Sequence, residues 1–279
     1  MKLQAIEGNT QRLDGGSMFG NAPKALWSRW LTPDDSNRIA LACRSLHLET
    51  DDGQQILFDV GIGAFFEPKL KDRFGVVEEE HVLLKNLEAA GTSHEEIDII
   101  VLSHLHFDHA GGLLSAYDGS DPQLLFPNAK ILIGKAHWER AQNPHMRERA
   151  SFLPRLHTLL KESGRLTIVE GQTHSELPND ISLTYVDGHS IGSMLSQIET
   201  PSGPVVFVAD LIPGMPWMHL PITMGYDRFP ELLVDEKRTM LDKLLKTNGR
   251  VFFAHDPEIS CAAVRQDERG RFFGEPVSL

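Results

Sequence analysis

Short apolar runs punctuate this chain, and several of them end on a polar residue. Residues 97–102 read Ile-Asp-Ile-Ile-Val-Leu, 205–209 read Val-Val-Phe-Val-Ala, and 251–254 read Val-Phe-Phe-Ala. Runs of this length, rich in β-branched and aromatic residues, predict strands buried on both faces, as in a mixed or parallel sheet. Residues 38–49 alternate and predict a strand, with Asp51-Asp52-Gly53 as the turn into a second strand over 55–59. Further strands are expected over 3–6, 130–133, 166–169, 181–186 and 194–199.

Three stretches carry a helical period instead. Over 78–90, Val82, Leu83, Leu87 and Ala90 share a face and Gly91 supplies a stop. Residues 136–162 predict helix in pieces, broken at Asn143-Pro144 and Leu153-Pro154. Residues 231–246 predict a long helix closed by Asn248-Gly249, and 14–30 reads as a Gly-rich loop. Strands and helices alternate in both halves, and no linker, repeat or low-complexity segment separates them. The expectation is one domain over 1–279 of the α/β (α+β) class: two mixed sheets packed face to face, with helices outside.

Composition narrows the function classes. A chain of 279 residues, 41% apolar and 24% charged, is long enough to bury a substantial core. The net charge of −12, from 39 acids against 27 bases, argues against nucleic acid as a partner, because that binding rests on neutralising phosphates. The two cysteines, Cys43 and Cys261, form no CxxC, which excludes a Cys-rich zinc site. The first residues carry no signal-peptide pattern and no window approaches a membrane span, so the default location is cytoplasmic.

The chemistry concentrates behind the run 97–102. His104-Leu105-His106-Phe107-Asp108-His109 packs four metal-binding side chains into six residues, followed by Ala110-Gly111-Gly112. A lone HxH occurs on surface strands without any metal. Four ligand types at the end of a buried strand are hard to place otherwise, since strand ends at the open edge of an α/β sheet are where sites form. Imidazole and carboxylate suit borderline divalent ions such as zinc, with manganese, iron, cobalt and nickel as alternatives. Completing such a cluster requires ligands from elsewhere. His189, Asp210 and His255 each follow a strand-like segment.

The ordered set HxHxDH, His, Asp, His resembles the metallo-β-lactamase-fold hydrolases, and all seven ligand positions find a match. The stretch 103–112 is most similar to the branch holding the N-acyl homoserine lactonases and methyl parathion hydrolase. The 85 residues from His104 to His189 are closer to the methyl parathion hydrolase pattern. The resemblance spans about Ile39 to Pro257 and implies an αββα sandwich with its ligands along one edge. It also implies two divalent ions. His104, His106 and His189 would hold one ion, Asp108, His109 and His255 the other, and Asp210 both. The implied reaction is cleavage of a lactone, ester or phosphotriester by a hydroxide bridging the ions, with Asp108 and Asp210 as catalytic carboxylates. Asp59, ending the strand 55–59, is implied to hydrogen-bond a ligand histidine; read alone it is a turn-initiating aspartate.

One position departs from the family pattern. The lactonases carry a tyrosine three residues after the bridging aspartate, and Pro213 stands there in this chain. Tyr226 or His219 could supply the missing donor, or either could simply pack. Apolar residues in irregular segments (Phe19, Trp27, Phe107, Met215 and Trp217) are expected to wall an apolar small-molecule pocket or to form a homodimer contact. Three other readings stay open: a glyoxalase II-like thioesterase, a mononuclear iron dioxygenase and a non-catalytic metal-bound sensor. The first usually carries a further helical domain, whereas only 24 residues follow His255. The second would not need Asp108, His109 and His255 as ligands.

Overall fold

The apolar runs assemble into two six-stranded sheets in a computed structural model describing residues 1–279. The chain divides into two units, Met1–Gln11 with Ala42–Val169 and Arg12–Leu41 with Glu170–Leu279, and each holds one of these sheets.

In the first unit the strand order is Lys2–Ile6, Ser45–Glu49, Gln55–Phe58, Ile99–Val101, Lys130–Gly134, Leu166–Val169. The first three pair antiparallel and the rest parallel, so the sheet is mixed. Ile99–Val101, buried throughout, runs between two parallel neighbours, as its unbroken apolar sequence requires. The helix Val82–Ala90 buries Leu83 and Leu87 and ends at Gly91, whose φ of 94° only glycine adopts without strain. Helices Lys135–Gln142 and Pro154–Glu162 follow the expected breaks, the second with proline in its first turn. The helix Pro68–Phe74 was not expected: only Leu70 and Phe74, half-buried against the cluster of Phe66 and Phe107, mark its apolar face, too few in seven residues to set a period.

The expected strand over 38–49 is divided into Arg38–Leu41 and Ser45–Glu49. The break has a steric reason. The Cys43 carbonyl oxygen lies so close to Gly8 and Gly61 that a Cβ at either would stand 2.4 or 2.5 Å from it. No regular ladder fits where the backbone is threaded between two glycines.

The second unit's sheet runs Phe272–Pro276, Cys261–Gln266, Arg250–Phe252, Val205–Phe207, Ser193–Ile198, Ile181–Val186. Only Val205–Phe207 and Arg250–Phe252 pair parallel. The run 251–254 is the last strand the sequence predicts, and it forms as Arg250–Phe252. The hairpin of Cys261–Gln266 and Phe272–Pro276 extends the sheet past it, and its polar Gln-Asp-Glu-Arg turn region hid the pair. The loop expected over 14–30 contains two short helices, Gly15–Phe19 and Lys24–Trp27. The first is capped by Asp14 Oδ1, which accepts the Ser17 amide at 2.7 Å. No helix is long and apolar enough to cross a membrane.

The helix Pro230–Lys246 buries Leu233, Met240, Leu241 and Leu244, and with them Lys237. The Lys237 ammonium donates to the carbonyls of Trp217 (2.9 Å) and Ile222 (2.6 Å), tying the irregular segment 217–222 to the helix. Burial pushes this amine down to about 8, partly opposed by the charge of Asp227. Its folded value lies below the unfolded one, so the unfolded chain holds more protons between about 8 and 10.5. Stability from this group is therefore lowest below about 8 and rises as pH increases through that window. Urea midpoints measured from pH 7 to 10 should show this rising component in the wild type, on the order of 3 kcal/mol. Lys237→Met should lack it; an unchanged pH slope in the variant would refute the assignment.

Candidate metal centre

The motif 104–109 begins three residues after the strand Ile99–Val101, so the sheet delivers it at that strand's C-terminal end. Leu105 is fully buried between the two histidines. Its amide donates to Nε2 of His137 at 2.9 Å, a buried imidazole from the helix Lys135–Gln142. Phe107–Ala110 then forms a single helical turn that carries Asp108 and His109. The rings of His104 and His109 stand 4.0 Å apart and those of His104 and His106 4.5 Å apart, all three buried.

Asp59 sits immediately after Gln55–Phe58, in the left-handed region at φ 53°. Its Oδ1 accepts the Ser103 amide at 2.6 Å, and its Oδ2 accepts the Ser103 hydroxyl at 2.6 Å. Oδ2 also takes His109 Nδ1 at 2.7 Å. The Ser103 hydroxyl proton is directed to Asp59, so Ser103 Oγ accepts from His104 Nδ1 at 3.0 Å. One buried carboxylate therefore places the Nδ1 protons of two imidazoles and turns both Nε2 atoms outward as ligand positions. His106 is held the other way round: its Nε2 meets Glu148 Oε1 at 3.1 Å. Asp108 Oδ2 accepts from the buried Gln11 amide at 2.8 Å.

In the second unit His189 lies beyond the end of Ile181–Val186, Asp210 beyond Val205–Phe207 and His255 beyond Arg250–Phe252. These three strands run in the same direction, so all three side chains emerge at one sheet edge. Ala209, just before Asp210, is held at φ 42°, a strained position for a residue with a Cβ. The two oxygens of Asp210 diverge: Oδ2 is 3.2 Å from His189 Nε2, and Oδ1 is 3.1 Å from His255 Nε2. His189 Nδ1 is held at 2.9 Å by Asp227 Oδ1, and Asp227 Oδ2 accepts the Met224 amide at 2.6 Å. Pro213 supplies no hydroxyl, and its carbonyl accepts the His255 amide at 3.0 Å.

The donor set fits divalent ions of the zinc type. All seven expected ligands belong to His/Asp groups able to hold a metal ion. They are imidazoles, four of them oriented by a hydrogen bond at the other ring nitrogen, plus carboxylates, and thiolate plays no part. Neither cysteine forms a disulfide, and burial pushes the Cys261 thiol up to about 11, far from a nucleophile or ligand at neutral pH. The two oxygens of Asp210 thus face two different candidate ligands, His189 and His255.

The expected apolar wall is partly core. Phe19, Trp27 and Trp217 are at most 1% exposed. Phe19 stacks between the two tryptophans, at 5.4 Å from Trp27 and 4.6 Å from Trp217. The Trp217 indole donates to the Met18 carbonyl at 2.9 Å. With every face covered, these three rings stabilise the second unit by packing and do not line a pocket. Phe107 joins Phe66 and Phe74 in a first-unit aromatic cluster. Met215 and the exposed His219 line a second-unit cleft with Trp30 and Phe273. Tyr226 is 41% exposed and next to Asp227. The sequence reading missed Gln11, Ser103, His137, Arg140, Glu148 and Asp227. Ser103 abuts the motif, but the others carry no local signal: each reads as one more polar residue until the fold brings it to an imidazole, a carboxylate or, for His137, the Leu105 amide.

Residues 41–255 match the metallo-beta-lactamase superfamily. Curated relatives include N-acyl homoserine lactonases from Bacillus cereus, 29% identical over 82% of this chain and 86% of the relative, and from Bacillus thuringiensis, 28% identical over 88% and 90%. A probable metal-dependent hydrolase from Staphylococcus aureus shares the fold with a TM-score of 0.87 at 23% identity, covering 100% of this chain and 98% of that one. AidC, a dizinc quorum-quenching lactonase, superposes with a TM-score of 0.76 at 23% identity over 99% and 94%. With its mixed sheets, its seven candidate ligands and relatives and neighbours that are metal-dependent hydrolases, the chain belongs to the metallo-β-lactamase superfamily.

Proposed function

We propose that this protein is a dinuclear metal-dependent hydrolase of lactones, with esters and phosphotriesters as related substrates. In this reading His104, His106 and His189 hold one ion, Asp108, His109 and His255 hold the other, and Asp210 is shared. The observation that carries the dinuclear reading is the Asp210 carboxylate, whose two oxygens face different imidazoles. The lactone preference rests on the named activity of the curated relatives.

Two such ions, when bound, lower the pKa of water toward neutrality and polarise a substrate oxygen. The chain's own residues do the rest. Asp59, Asp227 and Glu148 fix the rings of His109, His189 and His106, so ligand geometry is set before substrate arrives. Asp108 accepts the proton of the attacking water, its Oδ2 steadied by the Gln11 amide. Ser190 stands in a GxSxG pattern, Gly188 to Gly192, but it is fully buried and leads into the strand Ser193–Ile198 where a nucleophile elbow leads into a helix, so it is no exposed nucleophile and no acylated residue is invoked. Tyr226, exposed beside Asp227, and His219, in the cleft with Met215, are the two donor candidates for the hydroxyl absent at Pro213.

The test compares kcat/KM across acyl homoserine lactones, aryl esters, thioesters and organophosphates on metal-loaded protein. Lactones should lead. A thioester optimum would favour the glyoxalase II-like alternative, and no turnover of any class by fully loaded protein would leave the sensor reading. Single turnover in isotope-labelled water should place the label in the acid product, with no covalent adduct on the protein.

A further inference from the structure

His106 is the one imidazole of its motif held at Nε2, and the group holding it is part of a buried ion pair. Glu148 lies in the segment between the helices Lys135–Gln142 and Pro154–Glu162, with its side chain only 2% exposed. Its Oε1 faces His106 Nε2 at 3.1 Å. Its Oε2 accepts two contacts from Arg140, from Nε at 2.6 Å and from a terminal guanidinium nitrogen at 2.6 Å. The segment is also bound to the motif through its backbone, by an antiparallel bridge between His106 and Phe152, and the two rings meet at 5.1 Å. A carboxylate this deeply buried is costly unless charge and hydrogen bonds satisfy it. Here a guanidinium satisfies one oxygen and an imidazole N–H the other.

We infer that Arg140 and Glu148 form a positioning pair for His106, a role resting on the metallohydrolase reading above. Glu148 accepts the Nε2 proton, which leaves Nδ1 as the ligand atom and makes the ring a stronger donor. Arg140 holds Glu148 in place through its two contacts to Oε2, although it touches no ligand itself. Nothing in the local sequence marks this pair: Met146-Arg147-Glu148-Arg149 sets one apolar residue among three charged ones, and the usual order would bury the methionine and expose the glutamate. The fold inverts that reading, leaving Met146 90% exposed and Glu148 buried.

The test is zinc binding by apoprotein, in competition with a chromophoric chelator, for wild type, Glu148→Gln, Glu148→Leu, Arg140→Met and Arg140→Lys. Circular dichroism and thermal melts of each apoprotein report folding. Glu148→Leu and Arg140→Met should bind zinc about 10–100-fold more weakly at one of the two positions, the effect expected when the partner of a ligand histidine is lost. Arg140→Lys should recover most of the affinity, because it keeps the charge. Nitrogen-15 spectra of the zinc-loaded wild type should show His106 protonated at Nε2. If Glu148→Leu does not fold, Glu148→Gln and the two Arg140 variants decide. Folded variants that bind both zinc ions as tightly as wild type, or a His106 ring protonated at Nδ1, would overturn the inference. A wild-type protein that binds no zinc would instead overturn the metallohydrolase reading.

Discussion

Asp210→Ala is expected to lose both metal ions together, and the activity with them. Every other expected ligand serves one ion, so its removal should leave the second position intact. Asp210 differs because its oxygens lie 3.2 Å from His189 and 3.1 Å from His255, two imidazoles assigned to different ions. Removing the carboxylate takes one ligand from each ion and the shared negative charge from both. The loss in affinity at each position should exceed the roughly 10–100-fold cost of losing an outer hydrogen-bond partner. Elemental analysis should fall from two ions per chain to well under one, while His109→Ala should lose mainly one. Asp210→Ala that retains one tightly held ion would show that the carboxylate is not shared, and the dinuclear assignment would fail with it.

The readable part of this site is the part built on short-range pattern. HxHxDH announces itself because four ligand types directly follow a buried strand, and Asp210 and His255 announce themselves by ending apolar runs. Strand positions were legible for the same reason: Leu166–Val169 and Ile181–Val186 lie where the period places them. What was not legible depends on contacts distant in sequence. Asp227 reaches His189 across 38 residues and Glu148 reaches His106 across 42. Neither has a neighbour in sequence that hints at a buried role. Asp59 was inferred only through the family resemblance, and the structure shows its carboxylate serving His109 and, through Ser103, His104.

The aromatic residues show the opposite failure. Phe19, Trp27 and Trp217 lie in segments without regular period, which invited a pocket reading. Large rings in irregular segments also need cover, and here they cover one another. Lys237 inverts the usual expectation as well, since a lysine on a helix face is normally solvated. Two backbone carbonyls of the irregular segment 217–222 recruit it inward, which no helical periodicity could reveal.

Asp108→Asn is expected to lower kcat by about 10²–10⁴-fold while moving KM little, the range typical for loss of a positioned proton acceptor. The amide keeps the size of the side chain and an oxygen for the Gln11 hydrogen bond, which joins Gln11 Nε2 to Asp108 Oδ2 at 2.8 Å. What it loses is the charge that takes up a proton as the water attacks. A group acting on the proton changes the transition state more than the bound substrate, so the fall should appear equally in kcat and kcat/KM. Wild-type activity should rise with pH through an apparent value near 7, where water activated by two dications loses its proton. Gln11→Leu offers a graded control, because it frees Asp108 from the amide without removing the carboxylate, and its effect should be smaller and in the same direction. Metal content must be measured beside each rate, since Asp108 is also an expected ligand. A variant that keeps both ions and full kcat but shows a raised KM would place Asp108 in substrate binding and remove it from the proton transfer.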